Sequence, residues 1–341
     1  MMEKELVLVT GGSGFIAVHI ISKLLNQGYR VRTTLRTFSR QDEVKSMLAQ
    51  SGVTDFANLE FIQTDLTSDK NWAEAASGAD YVIHVASPTP ATRPDDGDEM
   101  VKMAVDGTLR VMKAAKVAGV KRVVLTSASG SVLAGHKSHP ELFTEADWTN
   151  LSGDIDAYQR SKTMAERAAW EYAKKENMEL SAVNPVAVMG PVLGKDYSHS
   201  NQNVYAMLTG KMPFLLRIGF DYIDVRDVAD LHLLAMTRKE AAGERFIATS
   251  GENLTYKEVA KILQSCLGSA ASKVSTKEIP NFLVKFLALF NKDLRMPATF
   301  LGQNTACSNA KAKKLLGWQP RSAEEAIIAT AKSLAELGLL D

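Results

Sequence analysis

The chain has 341 residues, 45% of them apolar and 23% charged, with 40 basic and 39 acidic side chains and a formal charge of +1. That mixture excludes a disordered or collagen-like chain, and the length suffices for a large α/β domain with a sizeable core. The charge balance offers no general attraction for nucleic acid or for an anionic membrane.

Strand-like and helix-like segments alternate through the first half. Leu6 to Thr10 is a short apolar run of the kind buried in a parallel sheet. Phe15 to Asn26 follows with Ile16, Ile20, Leu24 and Leu25 at helical spacing, and Gly28 ends that helix. Further strands are predicted at Arg30 to Leu35, Leu59 to Gln63, Tyr81 to Val85, Arg122 to Thr126 and Leu180 to Val183. Helices are predicted over Asp98 to Ala118 and Tyr158 to Lys174. Strands separated by helices imply right-handed crossovers and a doubly wound parallel sheet.

After Pro185 the rhythm loosens. Gly190, Pro191, Gly194 and Pro213 predict loops around one short helix, and Asp221 to Ala235 then reads as an extended piece and a helix. Thr255 to Glu258 is a capping box opening a helix over Val259 to Leu267, and Ser322 to Glu325 opens the last one. There is no internal repeat and no Pro/Gly/Ser-rich linker. Two cysteines, Cys266 and Cys307, are too few for a disulfide framework or a zinc cluster, so a reducing, cytoplasmic setting is expected. The first ten residues lack the apolar core of a signal peptide. The stretch Phe282 to Phe290, broken by Lys285, is too short to span a bilayer.

Four constellations carry chemistry. Thr10-Gly11-Gly12-Ser13-Gly14-Phe15-Ile16-Ala17 lies where the first strand turns into a helix. Glycines there let the backbone approach a pyrophosphate, and the free N–H groups of the helix start favour the anion. At the end of the second strand, where an NAD site needs a carboxylate, no acid occurs until Asp42. Arg32, Arg36 and Arg40 stand there instead, suited to a 2′-phosphate, so NADP is expected rather than NAD. Tyr158 and Lys162, four apart, share one helix face in the chain's only Tyr-x-x-x-Lys. A nearby ammonium is expected to lower the phenol's pKa and make it an acid–base group. Ser127, at the end of the fifth strand, is aimed at the same site. His136 and His139 form the only close histidine pair and do not make a metal site, and His84 reads as a packing histidine.

In this order the features resemble the extended short-chain dehydrogenase/reductases, in the dihydroflavonol reductase-like branch. The likeness runs end to end. It includes Val31 to Arg36, His84 to Pro88, Thr126-Ser127, Phe143 to Trp148, Tyr158 to Lys162, Asn184-Pro185, Tyr222 to Ala229 and Leu315 to Trp318. The resemblance implies a Rossmann-type doubly wound sheet with a smaller C-terminal substrate lobe. The nucleotide domain would be 1–185 and 221–249, and the lobe 186–220 and 250–341. It implies an NADPH-dependent carbonyl reductase acting on a small-molecule aldehyde or ketone, without nucleic acid, membrane or metal, as a monomer or homodimer. Tyr158 would be the general acid, and Lys162 would bind the nicotinamide ribose and tune Tyr158. Ser127 would position the carbonyl oxygen, with Ser129 the alternative through a shifted loop. Gly11, Gly14, Phe15 and Ile16 would line the pyrophosphate, and Arg36 with Arg32 or Arg40 would hold the 2′-phosphate. Asp65 and Leu66 would flank adenine. Ala86, Ser87, Pro185, Val188 and Ser200 would complete the cofactor pocket. Two departures stand out: Ser127-Ala128 where relatives have two serines, and Asp106-Gly107-Thr108 where they have Asn-Gly-Thr. A sugar-nucleotide epimerase or dehydratase, and a non-enzymatic NADP-sensing regulator, are the alternatives.

Overall fold

The computed structural model describes residues 4–88, 97–136, 142–195, 198–290, 294, 297–298 and 300–340. Strand β1 (Leu6–Thr10) leads into helix α1 (Phe15–Asn26), then β2 (Arg30–Leu35), α2 (Gln41–Gln50), β3 (Leu59–Gln63), α3 (Trp72–Ala76) and β4 (Tyr81–His84). Helix α4 (Gly97–Ala118), β5 (Arg122–Thr126), α5 (Ala157–Glu176) and β6 (Leu180–Pro185) follow. The chain continues through β7 (Ala187–Met189), α6 (His199–Leu208), β8 (Gly219–Asp224), α7 (Val225–Thr237), β9 (Arg245–Ala248) and β10 (Asn253–Thr255). It ends with α8 (Tyr256–Leu267), α9 (Asn281–Leu287), α10 (Ala310–Leu316) and α11 (Ala323–Glu336).

Seven strands form one sheet in the order β3-β2-β1-β4-β5-β6-β9, every pair parallel. Alternating side chains of β1 show why the sheet needs helices on both faces. Val7 and Val9 join the core shared with α1, α2 and α7, whereas Leu6 and Leu8 join the one shared with α3, α4 and α5. All four are almost wholly buried, each contributing about 1.5–3 kcal/mol of apolar burial. The strand order reverses at β1 and β4, the crevice where open α/β sheets bind ligands.

A second core gathers α6, α8 and α11 around a three-stranded sheet, β10-β8-β7. Thr255 and Ser322 make their expected capping boxes with Glu258 and Glu325. The lobes differ from the expected ranges at two places. Residues 221–224 belong to β8 and pair within the small sheet, because Asp221 accepts hydrogen bonds from Thr249, Asn253 and the Cys307 N–H. Conversely Cys307, Ala312, Leu316 and Trp318 pack into the main core, and the Trp318 indole donates to the Asp227 carbonyl. Among the described residues no helix is long and apolar enough to cross a membrane, and no cluster of three or more His, Cys, Asp or Glu is placed to hold a metal. His139 lies outside the described residues.

Candidate active site

The glycine turn is held from both neighbouring strands. Gly12 N–H donates to the Thr34 carbonyl (2.9 Å), and Gly11 N–H to the Thr34 hydroxyl (3.0 Å). Gly11 has φ +74°, and a Cβ there would sit 3.0 Å from the Ala86 Cβ. A Cβ on Gly12 would fall 2.2 Å from the Thr33 hydroxyl. Only glycine fits a backbone pressed this closely against β2 and the end of β4. Gly14 begins α1 without any side-chain cap, leaving the first-turn N–H groups of Phe15 and Ile16 available to an anion. Ala17, in the third-glycine position, is wholly buried.

Thr10 ties this turn to β4. Its hydroxyl accepts from Ala86 N–H (3.0 Å) and shares a hydrogen bond with His84 Nδ1 at 2.8 Å, whose direction follows the imidazole tautomer. Burial pulls His84 down to about 3, with the Lys162 charge adding. His84 is therefore a neutral core histidine that holds Thr10 and, through it, the Ala86 N–H.

The three arginines of the β2 end separate. Arg32 is engaged within the protein. Its guanidinium pairs with Glu60 (2.9 Å) and donates to the carbonyls of Glu74, Ala75 and Ser77. It lies within β2, beside β3, which carries Glu60. Arg40 is clamped by both oxygens of Glu43 (2.7 and 2.8 Å) and donates to the Ser13 hydroxyl (2.9 Å), so it buttresses the glycine turn. Arg36 is exposed just past β2, and its guanidinium makes no ion pair among the described residues. Asp65 and Leu66 follow β3 close by. Hydrogen bonds from the Thr67 N–H and hydroxyl hold the Asp65 carboxyl below its usual range, the Arg36 and Arg110 charges adding. Gly107 leaves the space that Leu66 fills, a Cβ there meeting the Leu66 Cβ at 3.1 Å. Asp106 faces outward to pair with Lys102.

Helix α5 starts at a capping box. Asp156 accepts from Gln159 N–H (2.7 Å), and Gln159 Oε1 accepts from Asp156 N–H (3.1 Å). This fixes Tyr158 in the first turn, its side chain 51% exposed. Gly130 abuts it: an added Cβ would lie 3.8 Å from Tyr158 Cε1. The Lys162 ammonium stands 6.0 Å from the Tyr158 ring centroid. The expected lowering of the tyrosine pKa by that lysine is not what the structure shows. Desolvation pushes the phenol up to about 12, with Asp156 adding, while burial pulls Lys162 down to about 8 against the opposing Glu166 charge. Half of the ring is open to solvent, so the direction is what matters: the phenol is protonated at neutral pH.

Ser127 is turned inward. Its hydroxyl is buried and donates to Glu166 Oε2 at 2.6 Å, beside Ser131. The carboxylate on α5 captures it, a partner more strongly bound than any neutral acceptor. Ser129, two residues on, is half-buried and makes no side-chain hydrogen bond among the described residues. It precedes Gly130, the residue that abuts the ring of Tyr158.

A turn built for a dinucleotide beside a Tyr–Lys helix is matched by known proteins. Residues 7–248 fit the model of the NAD dependent epimerase/dehydratase family. The chain belongs to this family. Its relatives place it in the dihydroflavonol reductase-like branch of the extended short-chain dehydrogenase/reductases. It is 30% identical to ketoreductase azaE of Aspergillus niger over 332 residues, covering 91% of this chain and 97% of that protein. Cinnamoyl-CoA reductase 1 of Arabidopsis thaliana is 32% identical over 338 residues, 98% of this chain and 90% of that one. The crystal structure of yeast methylglyoxal/isovaleraldehyde reductase Gre2 with NADPH superposes with a TM-score of 0.81 at 26% identity, over 98% and 100% of the two chains.

In this family member the remaining expected residues divide between the two sheets. Pro185 ends β6 and is buried, and the Val188 side chain packs into the core, leaving only its backbone for a ligand. The Val188 carbonyl accepts from Ser198, the N-cap of α6, which puts Ser200 in that helix's first turn. Sequence reasoning missed Glu166 and Arg245, a buried ion pair at 2.6 Å. One signal was present: Glu166 continues the four-residue spacing of Tyr158 and Lys162.

Proposed function

We propose that this chain is an NADPH-dependent carbonyl reductase that converts a small aldehyde or ketone to the alcohol. The observation that carries it is the Tyr158–Lys162 pair beside a glycine cradle whose neighbouring strand ends in unpaired Arg36 instead of a carboxylate. The residues present fit a dinucleotide phosphate. Gly11 and Gly12 leave no room for a Cβ, the start of α1 is uncapped, and Arg36 is exposed and available for charge-assisted bonds to a 2′-phosphate. NADPH, when bound, supplies the hydride. Tyr158 holds the proton for the carbonyl oxygen, Lys162 binds the ribose, and Gly11, Gly14, Phe15 and Ile16 receive the pyrophosphate. Arg40 supports this cradle through Ser13. Asp65, Leu66, Ala86, Ser87, Pro185, Ser200 and the backbone of Val188 border the cofactor. The reductase relatives support this reading. The chain's setting in this reading is reducing and cytoplasmic, as the two free cysteines Cys266 and Cys307 suit, and it acts as a monomer or homodimer.

The test follows NADPH absorbance with a panel of aldehydes, ketones and 1,2-dicarbonyls, with NADH in parallel. Consumption that prefers NADPH is expected. Protein that purifies with stoichiometric NAD and consumes neither cofactor would overturn the reading.

Ser129 is the hydroxyl that orients the carbonyl, since Ser127 is spent on Glu166. Ser129→Ala should lower kcat by roughly 10²-fold, as removal of one oxyanion donor does, with the melting temperature unchanged. Ser127→Ala should instead lower stability by about 2 kcal/mol, the worth of a hydrogen bond to a charged group. Thermal melts and steady-state kinetics on both variants separate the two roles.

A further inference from the structure

The active face of α5 runs one turn beyond Lys162. Tyr158, Lys162 and Glu166 follow at four-residue intervals, so they stack along the same side of the helix. Glu166 is wholly buried, and five side chains donate to its carboxylate. Its Oε2 accepts from Ser127 Oγ and Ser131 Oγ, each at 2.6 Å, and from Asn184 Nδ2 at 2.8 Å. Its Oε1 accepts from Arg245 Nε at 2.6 Å and Trp170 Nε1 at 3.2 Å. The Arg245 guanidinium lies 3.7 Å from the Trp148 ring centroid and donates to the carbonyls of Glu145 and Asp147. One carboxylate thus fastens α5 to the loop after β5, to the end of β6 and to β9.

A buried ion pair is a weak device for stability alone, because apolar residues of the same volume serve as well or better. Its partners are specific to the site. Ser127 and Ser131 flank the Ser129–Gly130 step that rests against Tyr158, so pulling both onto Glu166 sets where that step lies. The charged and titratable groups facing Lys162 are Tyr158 and Glu166 from its own helix and His84 from β4, with Arg245 of β9 behind Glu166. His84 is neutral, which leaves Glu166 as the anion that opposes the desolvation of the ammonium.

We propose that Glu166 is a positioning residue of the active site, a buried carboxylate that clamps the Ser127–Ser131 loop to α5 and sustains the charge of Lys162. The proposal rests on the reductase reading only for its kinetic consequence. The charge on Lys162 is read without turnover, by acylating the cofactor-free protein with acetic anhydride from neutral to alkaline pH and quantifying the Lys162 peptide by mass spectrometry. The wild-type midpoint is expected near 8. In Glu166→Gln, with folding checked by circular dichroism, it should fall by about one pH unit, and the alkaline limb of kcat/KM should fall with it. Arg245→Gln breaks the same ion pair but keeps the anion, so it should lose thermal stability without lowering the Lys162 midpoint. If Glu166→Gln does not fold, Glu166→Gln with Arg245→Met removes both charges and should show a smaller downward shift, because losing the guanidinium partly offsets losing the anion. An unmoved midpoint in the folded variant, or an equal fall in Arg245→Gln, overturns the proposal. A wild-type protein inactive on every carbonyl but showing the Lys162 shift overturns the reductase reading alone.

Discussion

Tyr158→Phe should lower kcat for carbonyl reduction by about 10²–10⁴-fold, the usual contribution of a positioned acid, while NADPH binding and the melting temperature hold. Reduction leaves an oxygen that must take a proton, and the function proposed above assigns that proton to Tyr158, half exposed in the first turn of α5. Desolvation holds the phenol above its ordinary value, so it carries its proton throughout the neutral range. Lys162 stands near 8, so it is charged below that pH and loses its charge above it. Reduction should therefore be flat through neutral pH and fall as pH rises through about 8. A kcat/KM profile of the wild type, with fluorescence titration of NADPH on the variant, checks both statements. Full activity in Tyr158→Phe would mean that the proton comes from elsewhere.

Arg36→Ala should weaken the preference for NADPH over NADH by roughly 10- to 100-fold, corresponding to about 1.5–3 kcal/mol for bonds between charged groups. The loss should sit in kcat/KM for NADPH, with NADH little changed, because NADH has no 2′-phosphate. Arg32→Ala is the internal control. Its guanidinium is already spent on Glu60 and three backbone carbonyls, so its removal should lower the melting temperature without changing the cofactor ratio. Arg40→Ala should raise KM for both cofactors, since Arg40 supports the glycine turn through Ser13. Equal ratios for the Arg36 variant and the wild type would remove Arg36 from the phosphate site.

Much of the scaffold was legible because its signals are local. The bounds of β1, α1, β2, β3 and β5 follow from short apolar runs, helical spacing and a terminal glycine. The capping boxes at Thr255 and Ser322 are likewise written in four consecutive residues. The strands β7, β9 and β10 escaped notice because each has only three or four residues. Such short runs carry too few alternations to reveal a period, and their pairing depends on a neighbour distant in sequence.

The sequence by itself determined the doubly wound sheet, the glycine cradle, and the placing of Tyr158 and Lys162 on one helix face. Each follows from backbone chemistry acting over a few residues. Only the tertiary structure decided which arginine stays out of an ion pair among the described residues and which serine a buried carboxylate captures. Arg32, Arg36 and Arg40 are alike as residues, and they differ only in what Glu60, Glu43 and the carbonyls of α3 place beside them. Ser127 and Ser129 are likewise alike until Glu166, 39 residues beyond Ser127, takes the first and leaves the second. A side chain's role depends on the competition for its hydrogen bonds, and the competitors come together only when distant segments pack.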